Sequence, residues 1–214
     1  MGVPNAIFVE ISPNIARGVN ADPGDFPYQV ELQISNTGIC SGILLTSYLV
    51  LTAAHCFKSK TPSGNLAHFD ETQVKVVAGK LSTKEISVSI KHIILHQEFD
   101  PYEMKNDIAL LELETPIDAE VHTEYGLLPH KTVSKRLSEY AMVSGWGRTE
   151  KNEPSKMLQK INVTVYTDNV CINRWGEQFL DGMTCAGGLK EDACKGDSGG
   201  PLTCTYPKKL KDEK

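Results

Sequence analysis

Gly196-Asp197-Ser198-Gly199-Gly200-Pro201-Leu202 sets one hydroxyl among glycines, in a turn able to expose both the Ser198 side chain and its backbone N–H. Alone, such a turn is a common loop. Two other stretches give it a chemical meaning. Thr52-Ala53-Ala54-His55-Cys56 follows the apolar run from Ile43 to Leu51, which reads as a strand ending at a histidine. Asn106-Asp107-Ile108-Ala109-Leu110-Leu111-Glu112-Leu113 places an aspartate at the mouth of a second strand whose alternate residues are apolar. The chain order is therefore His55, Asp107, Ser198.

A serine hydroxyl is a poor nucleophile at neutral pH. Acyl transfer needs a base within hydrogen-bond reach and a third group that orients the base. His55 can take the Ser198 proton and return it to the leaving amine, while a buried Asp107 holds the imidazole tautomer and stabilises the imidazolium. The tetrahedral oxyanion needs donors fixed in advance, and the backbone N–H groups of Gly196 and Ser198 are the candidates. Glycine at 196 suits a close backbone approach.

Three landmarks accompany these motifs: Asp22-Pro23-Gly24-Asp25-Phe26-Pro27-Tyr28-Gln29-Val30, Val143-Ser144-Gly145-Trp146-Gly147 and Met183-Thr184-Cys185-Ala186-Gly187. With them the chain resembles the chymotrypsin-fold serine proteases, and within those the trypsin-like branch. The likeness runs from Ile15 to Cys204. It implies an all-β protein of two antiparallel six-stranded β-barrels with the catalytic set between them, His55 and Asp107 on the first and Ser198 on the second. The implied division is a propeptide remnant at 1–14, a peptidase domain at 15–204 and a divergent charged tail at 205–214. Within the domain the first barrel takes 15–117 and the second 138–204. After Cys204 the family continues with a Ser-Trp-Gly strand, a hairpin and a helix, whereas Thr205-Tyr206-Pro207 and a charged tail stand here. The second barrel is thus expected to be incomplete and the C-terminal helix missing.

Composition agrees with this class. The chain has 214 residues, 40% of them hydrophobic, which suffices for a sizeable core. The net charge is −5 and the basic residues are scattered except in the Lys208–Lys214 tail, so no nucleic-acid footprint is visible. No apolar stretch is long enough to span a membrane. Cysteine usage points to an oxidising setting outside the cell. The resemblance implies a Cys40–Cys56 disulfide bracing the His55 strand and a Cys171–Cys185 disulfide in the second barrel. The sequon Asn162-Val163-Thr164 points the same way, and alternation with Ile161, Val163 and Val165 turns Asn162 to solvent. Met1–Asn14 lacks the basic start and apolar core of a secretory signal. A signal left off or an incomplete start accounts for that better than a cytosolic protease does.

The family resemblance also assigns specificity and activation. Asp192, six positions before Ser198, falls at the base of the primary pocket, where a carboxylate selects Arg or Lys substrates. Ala193 beside it withholds the hydroxyl that would serve a shorter Lys, favouring Arg. Ile15-Ala16-Arg17-Gly18 aligns with the family's new amino terminus, so cleavage before Ile15 would free an α-ammonium to pair with Asp197 and order the oxyanion loop. The intact chain is then a zymogen. Its activating protease is unknown, because Asn14 precedes the cut where trypsin-like activators want a basic residue.

No metal or other cofactor is expected. Lys80 and a shortened loop with Glu85 replace the acidic calcium loop of several relatives, and His92 and His96, four apart on a strand, do not converge on a zinc ion. The usual partner of Cys204 falls at Ala141, and that of Cys194 in the missing hairpin, so these two cysteines read as free or mispaired. Two functions remain open from sequence. One is a secreted trypsin-like endopeptidase zymogen acting on Arg/Lys peptides and bound by protease inhibitors. The alternative is an inactive truncated homologue serving as a binding protein or decoy.

Overall fold

In the computed structural model the described residues are 18–35, 38–61, 64–80, 85–120, 123–128, 140–148, 153–179, 182–187 and 196–204. Ile15, Asp192, Ala193, Cys194 and the 205–214 tail lie outside them. The described chain is mostly β-structure, as the sequence implies. Among the described residues, thirteen strands run from β1 (Val19–Asn20) through β2 (Gln29–Ile34), β3 (Gly38–Thr46), β4 (Leu49–Thr52), β5 (Lys58–Lys60), β6 (Leu66–His68), β7 (Val74–Ala78), β8 (Ile86–Leu95) and β9 (Ala109–Leu113). They continue as β10 (Tyr140–Gly145), β11 (Gln159–Val165), β12 (Ala186–Gly187) and β13 (Leu202–Cys204), with one α-helix, α1 (Asp168–Trp175), before β12.

The first barrel closes in the order β2-β3-β4-β9-β8-β7. Period-two patterning explains the closure. Val30, Leu32 and Ile34 of β2, Val74 and Val76 of β7 and Leu111 and Leu113 of β9 point inward and are at most 3% exposed. Each such side chain contributes about 1.5–3 kcal/mol by leaving water. The opposite face of β2 breaks the simple pattern: Gln29 and Glu31 are buried too, Gln29 against Ser144 of the other half and Glu31 against Lys80.

The apolar run from Ile43 to Leu51 is not one strand. It divides into β3 and β4 around a tight turn at Ser47–Tyr48, with the register shifting between Leu44 and Thr46. Thr46 Oγ1 accepts the Leu49 N–H at 3.1 Å, so a side chain supplies the turn that no Gly or Pro marks in the sequence. His55 likewise sits past the strand end, in a 3-10 turn spanning Ala54–Cys56.

The second half is a five-stranded sheet in the order β1-β11-β10-β13, with β12 also paired to β11. Among the described residues it does not close. Ala141, Val143, Ile161 and Val163 form its small core. Register pairs Met142 with Asn162, and Asn162 faces solvent as its alternation requires.

Candidate active site

Asp107 enters just before β9, after Asn106 at φ 52°, a left-handed backbone that asparagine tolerates better than most residues. Its side chain is fully buried, and both oxygens are engaged by one residue. Oδ1 accepts the His55 backbone N–H at 2.7 Å and Oδ2 lies 2.5 Å from His55 Nδ1. A carboxylate only accepts, so Nδ1 carries the hydrogen and Nε2 presents a lone pair. The two-point contact fixes the ring's position as well as its tautomer. The 3-10 turn that carries the ring is braced by the Cys40–Cys56 disulfide, which ties the residue after His55 to β3.

Ser198 arrives from the other half on a turn closed by the Gly200 N–H to the Asp197 carbonyl at 2.9 Å. That turn is docked on the first barrel. The Ser198 carbonyl accepts the Ser41 N–H at 2.7 Å and lies 3.9 Å from Cys56 Sγ, beside His55. Gly199, at φ 79°, packs so closely that a Cβ there would overlap Thr52 Oγ1 and come within 2.5 Å of the Ser41 carbonyl. Ser41, fully buried, also directs its Oγ to the Gly196 carbonyl at 3.4 Å. His55, Asp107, Ser198 and Gly196 are thus gathered across one seam. The arrangement offers a hydroxyl, a base with a fixed tautomer and a carboxylate behind it, the set that acyl transfer requires.

Asp197 is only 5% exposed, its Oδ1 accepting the Gly147 N–H at 2.7 Å. Gly145 and Gly147 close around it. A Cβ on Gly145 would overlap the carboxylate, and one on Gly147 would lie 2.5 Å from Oδ2.

The second disulfide joins Cys171 of α1 to Cys185. Among the described residues Cys204 is a free thiol on β13, in register with Ala141, and burial pushes its pKa up. The described residues bring three metal-ligand side chains within 4.8 Å, Cys40, His55 and Cys56, but the two sulfurs are bonded to each other and offer no thiolate. Lys80 turns to Glu31, Glu85 is exposed, and His96 Nδ1 accepts the Glu98 N–H at 3.2 Å. No described helix is long and apolar enough to cross a membrane.

Residue types in chain order do not reveal Ser41, Thr52 or the seam residues Gln29, Ser144 and Glu31. Gln29 Nε2 donates to the Ser144 carbonyl at 2.8 Å and the Ser144 hydroxyl returns a bond to Gln29 Oε1. The only trace of this in sequence is a polar alternation on β2 that would equally suit a solvated face.

A protein-family model described as Trypsin matches residues 15–208. The chain is 36% identical over 203 residues to Trypsin of Sarcophaga bullata, covering 90% of this chain and 75% of that protein. It is 32% identical over 194 residues to Transmembrane protease serine 11G of Mus musculus, covering 88% of this chain and 45% of that protein.

Proposed function

This chain belongs to the trypsin family, serine-type endopeptidases by descent, and on that premise we propose that it cleaves peptide bonds after Arg and Lys through an acyl-enzyme. The observation that carries the reading is the two-point grip of Asp107 on His55, in a barrel whose Ser41 N–H also holds the Ser198 carbonyl. Ser198 Oγ attacks the scissile carbonyl while His55 Nε2 takes its proton. The amine leaves with that proton, and water repeats the sequence on the ester. The Gly196 and Ser198 N–H groups receive the oxyanion. Asp192 selects the cationic side chain, with Ala193 favouring Arg.

The same reading makes the intact chain a zymogen. Cleavage before Ile15 frees an ammonium whose partner is Asp197, a buried carboxylate next to the nucleophile. Both disulfides suit an oxidising compartment, and secretion would expose Asn162 of β11, a solvent-facing sequon, to glycosylation. Treatment with peptide N-glycosidase then lowers the mass of secreted protein, and Asn162→Gln removes that shift. Macromolecular inhibitors of trypsin-like enzymes are the expected protein partners.

The test is turnover of Arg, Lys and Phe peptide amides by protein starting at Ile15, beside Ser198→Ala. The expected order is Arg above Lys, with Phe uncut, and a loss of at least about 10⁴-fold on Ser198→Ala. Folded protein with both disulfides formed that cuts none of the three amides sinks the reading. The binding-protein alternative draws on the second sheet, which does not close among the described residues, and would then replace it.

A further inference from the structure

Lys80 and Glu31 form a charged pair that catalytic chemistry does not use, and it is placed at the seam. Glu31 lies on the outward face of β2, with a side chain 3% exposed, and its two oxygens accept from Gln33 Nε2 and Lys80 Nζ. Lys80 follows β7 in the first barrel, yet its ammonium also lies 5.4 Å from the centre of the Trp146 ring, across the seam. Trp146 is 2% exposed, and its indole N–H is buried without a hydrogen-bond partner among the described residues. No described group at its polar edge therefore sets the ring's orientation. Ala21, Phe26 and Leu158 pack with it as an apolar cluster, and the cation over its face is the polar contact that remains. The next residue, Gly147, donates the N–H that holds Asp197, and Asp197 precedes Ser198.

We propose that Lys80, clamped by Glu31, is a positioning residue that fixes Trp146 and, through the Gly147–Asp197 hydrogen bond, orders the turn bearing Ser198. The connection runs from a buried carboxylate of β2 to an ammonium, an indole face, a backbone N–H and a second carboxylate. Its effect on rate rests on the protease reading of Ser198; its effect on the order of the turn does not.

Removing Lys80 alone leaves the Glu31 carboxylate buried and uncompensated, which risks unfolding. The decisive variant is therefore the neutral pair Glu31→Gln with Lys80→Met, with Lys80→Arg as the conservative control that keeps charge and stacking. Amide hydrogen exchange of the full chain, read by mass spectrometry, follows segments 144–148 and 196–202 against β4 and β9. In the neutral pair both segments should exchange about ten-fold faster, with β4 and β9 unchanged, and Lys80→Arg should match the parent. Fluorophosphonate labelling of Ser198 should slow by about the same factor. Exchange in 144–148 and 196–202 equal to the parent's, or a rise shared by β4 and β9, overturns the proposal. A parent that exchanges as expected but takes no label counts against the protease reading alone.

Discussion

The two halves of this molecule solve the same problem differently. The first barrel closes on itself, so every strand from β2 to β9 in the ring has a partner on each side and the His55–Asp107 unit is anchored wholly within it. The second sheet has described ends at β1 and β13, and its Ser198 turn is held in large part by the other half: Ser41 binds the Ser198 carbonyl, Thr52 abuts Gly199, and Tyr28 Oη pairs with Thr203 Oγ1 at 2.9 Å. Burial pushes the Tyr28 pKa up, which keeps that phenol neutral. The lesson is that the His55–Asp107 pair is a property of one barrel, whereas the placement of Ser198 is a property of the contact between two.

That asymmetry is breakable at its core. Leu111→Ala, at a position with 0% exposure, should cost about 2–5 kcal/mol and unfold both halves together. Val163→Ala in the smaller core should cost about 1–2 kcal/mol, and in denaturant melts it should release β10–β13 before the barrel. A single shared transition in both variants would erase the distinction between the halves.

Next in size are the disulfides. Their sequence separations are 16 and 14, so chain entropy alone assigns each about 3 kcal/mol. Paired Cys→Ser replacements measured by thermal unfolding should come out nearly equal in stability. Only loss of Cys40–Cys56 should slow fluorophosphonate labelling, because only that bridge reaches the residue beside His55. Equal kinetic damage from both would contradict the division of labour.

Gly199→Ala probes the contact itself. With φ at 79° and no room for a Cβ, it should lower kcat by about 100-fold, about 2.7 kcal/mol in barrier, with the first barrel's melt unchanged. Wild-type turnover would show that the turn is not held against Thr52.

How much of this was legible beforehand follows from where the forces act. His55, Asp107 and Ser198 stood out because acyl transfer demands those residue types, and β9 after Asp107 alternates as its sequence suggests. The turn between β3 and β4 did not, because its signal is a Thr46 hydroxyl within an apolar run. Nor did the outward face of β2, since Gln29 and Glu31 look like solvent-facing residues until Ser144 and Lys80 engage them. Asp192, Ala193 and Ile15 lie outside the described residues, so specificity and activation rest on resemblance.

The smallest expected effect concerns the tie between the chain's first described loop and β11. Lys160 bonds Asp25 at 2.5 Å, and that contact, with the Asp22 backbone N–H, lowers the Asp25 pKa below its ordinary 3.8. The folded state therefore binds fewer protons at Asp25 than the unfolded one. Its stabilisation is present above the ordinary value and is lost as pH falls through the lowered one. At so exposed a site solvent and salt screen the pair, so the effect should be small and fade as ionic strength rises. Asp25→Asn should flatten that acid limb in pH-dependent melts, and an unchanged limb would remove this tie from the comparison.

The glycine clasp around Asp197 bears on how this chain can be varied. Gly145 and Gly147 sit about fifty positions from Asp197 in the sequence, yet the carboxylate fills the space where their side chains would be. A saturation library sorted for turnover should come back monomorphic at both positions, although neither glycine has a side chain to meet a substrate. In shuffled chimaeras, segment 145–147 and residue 197 should be inherited as one block, so crossover points placed between them would yield inactive offspring unless both parents share the clasp.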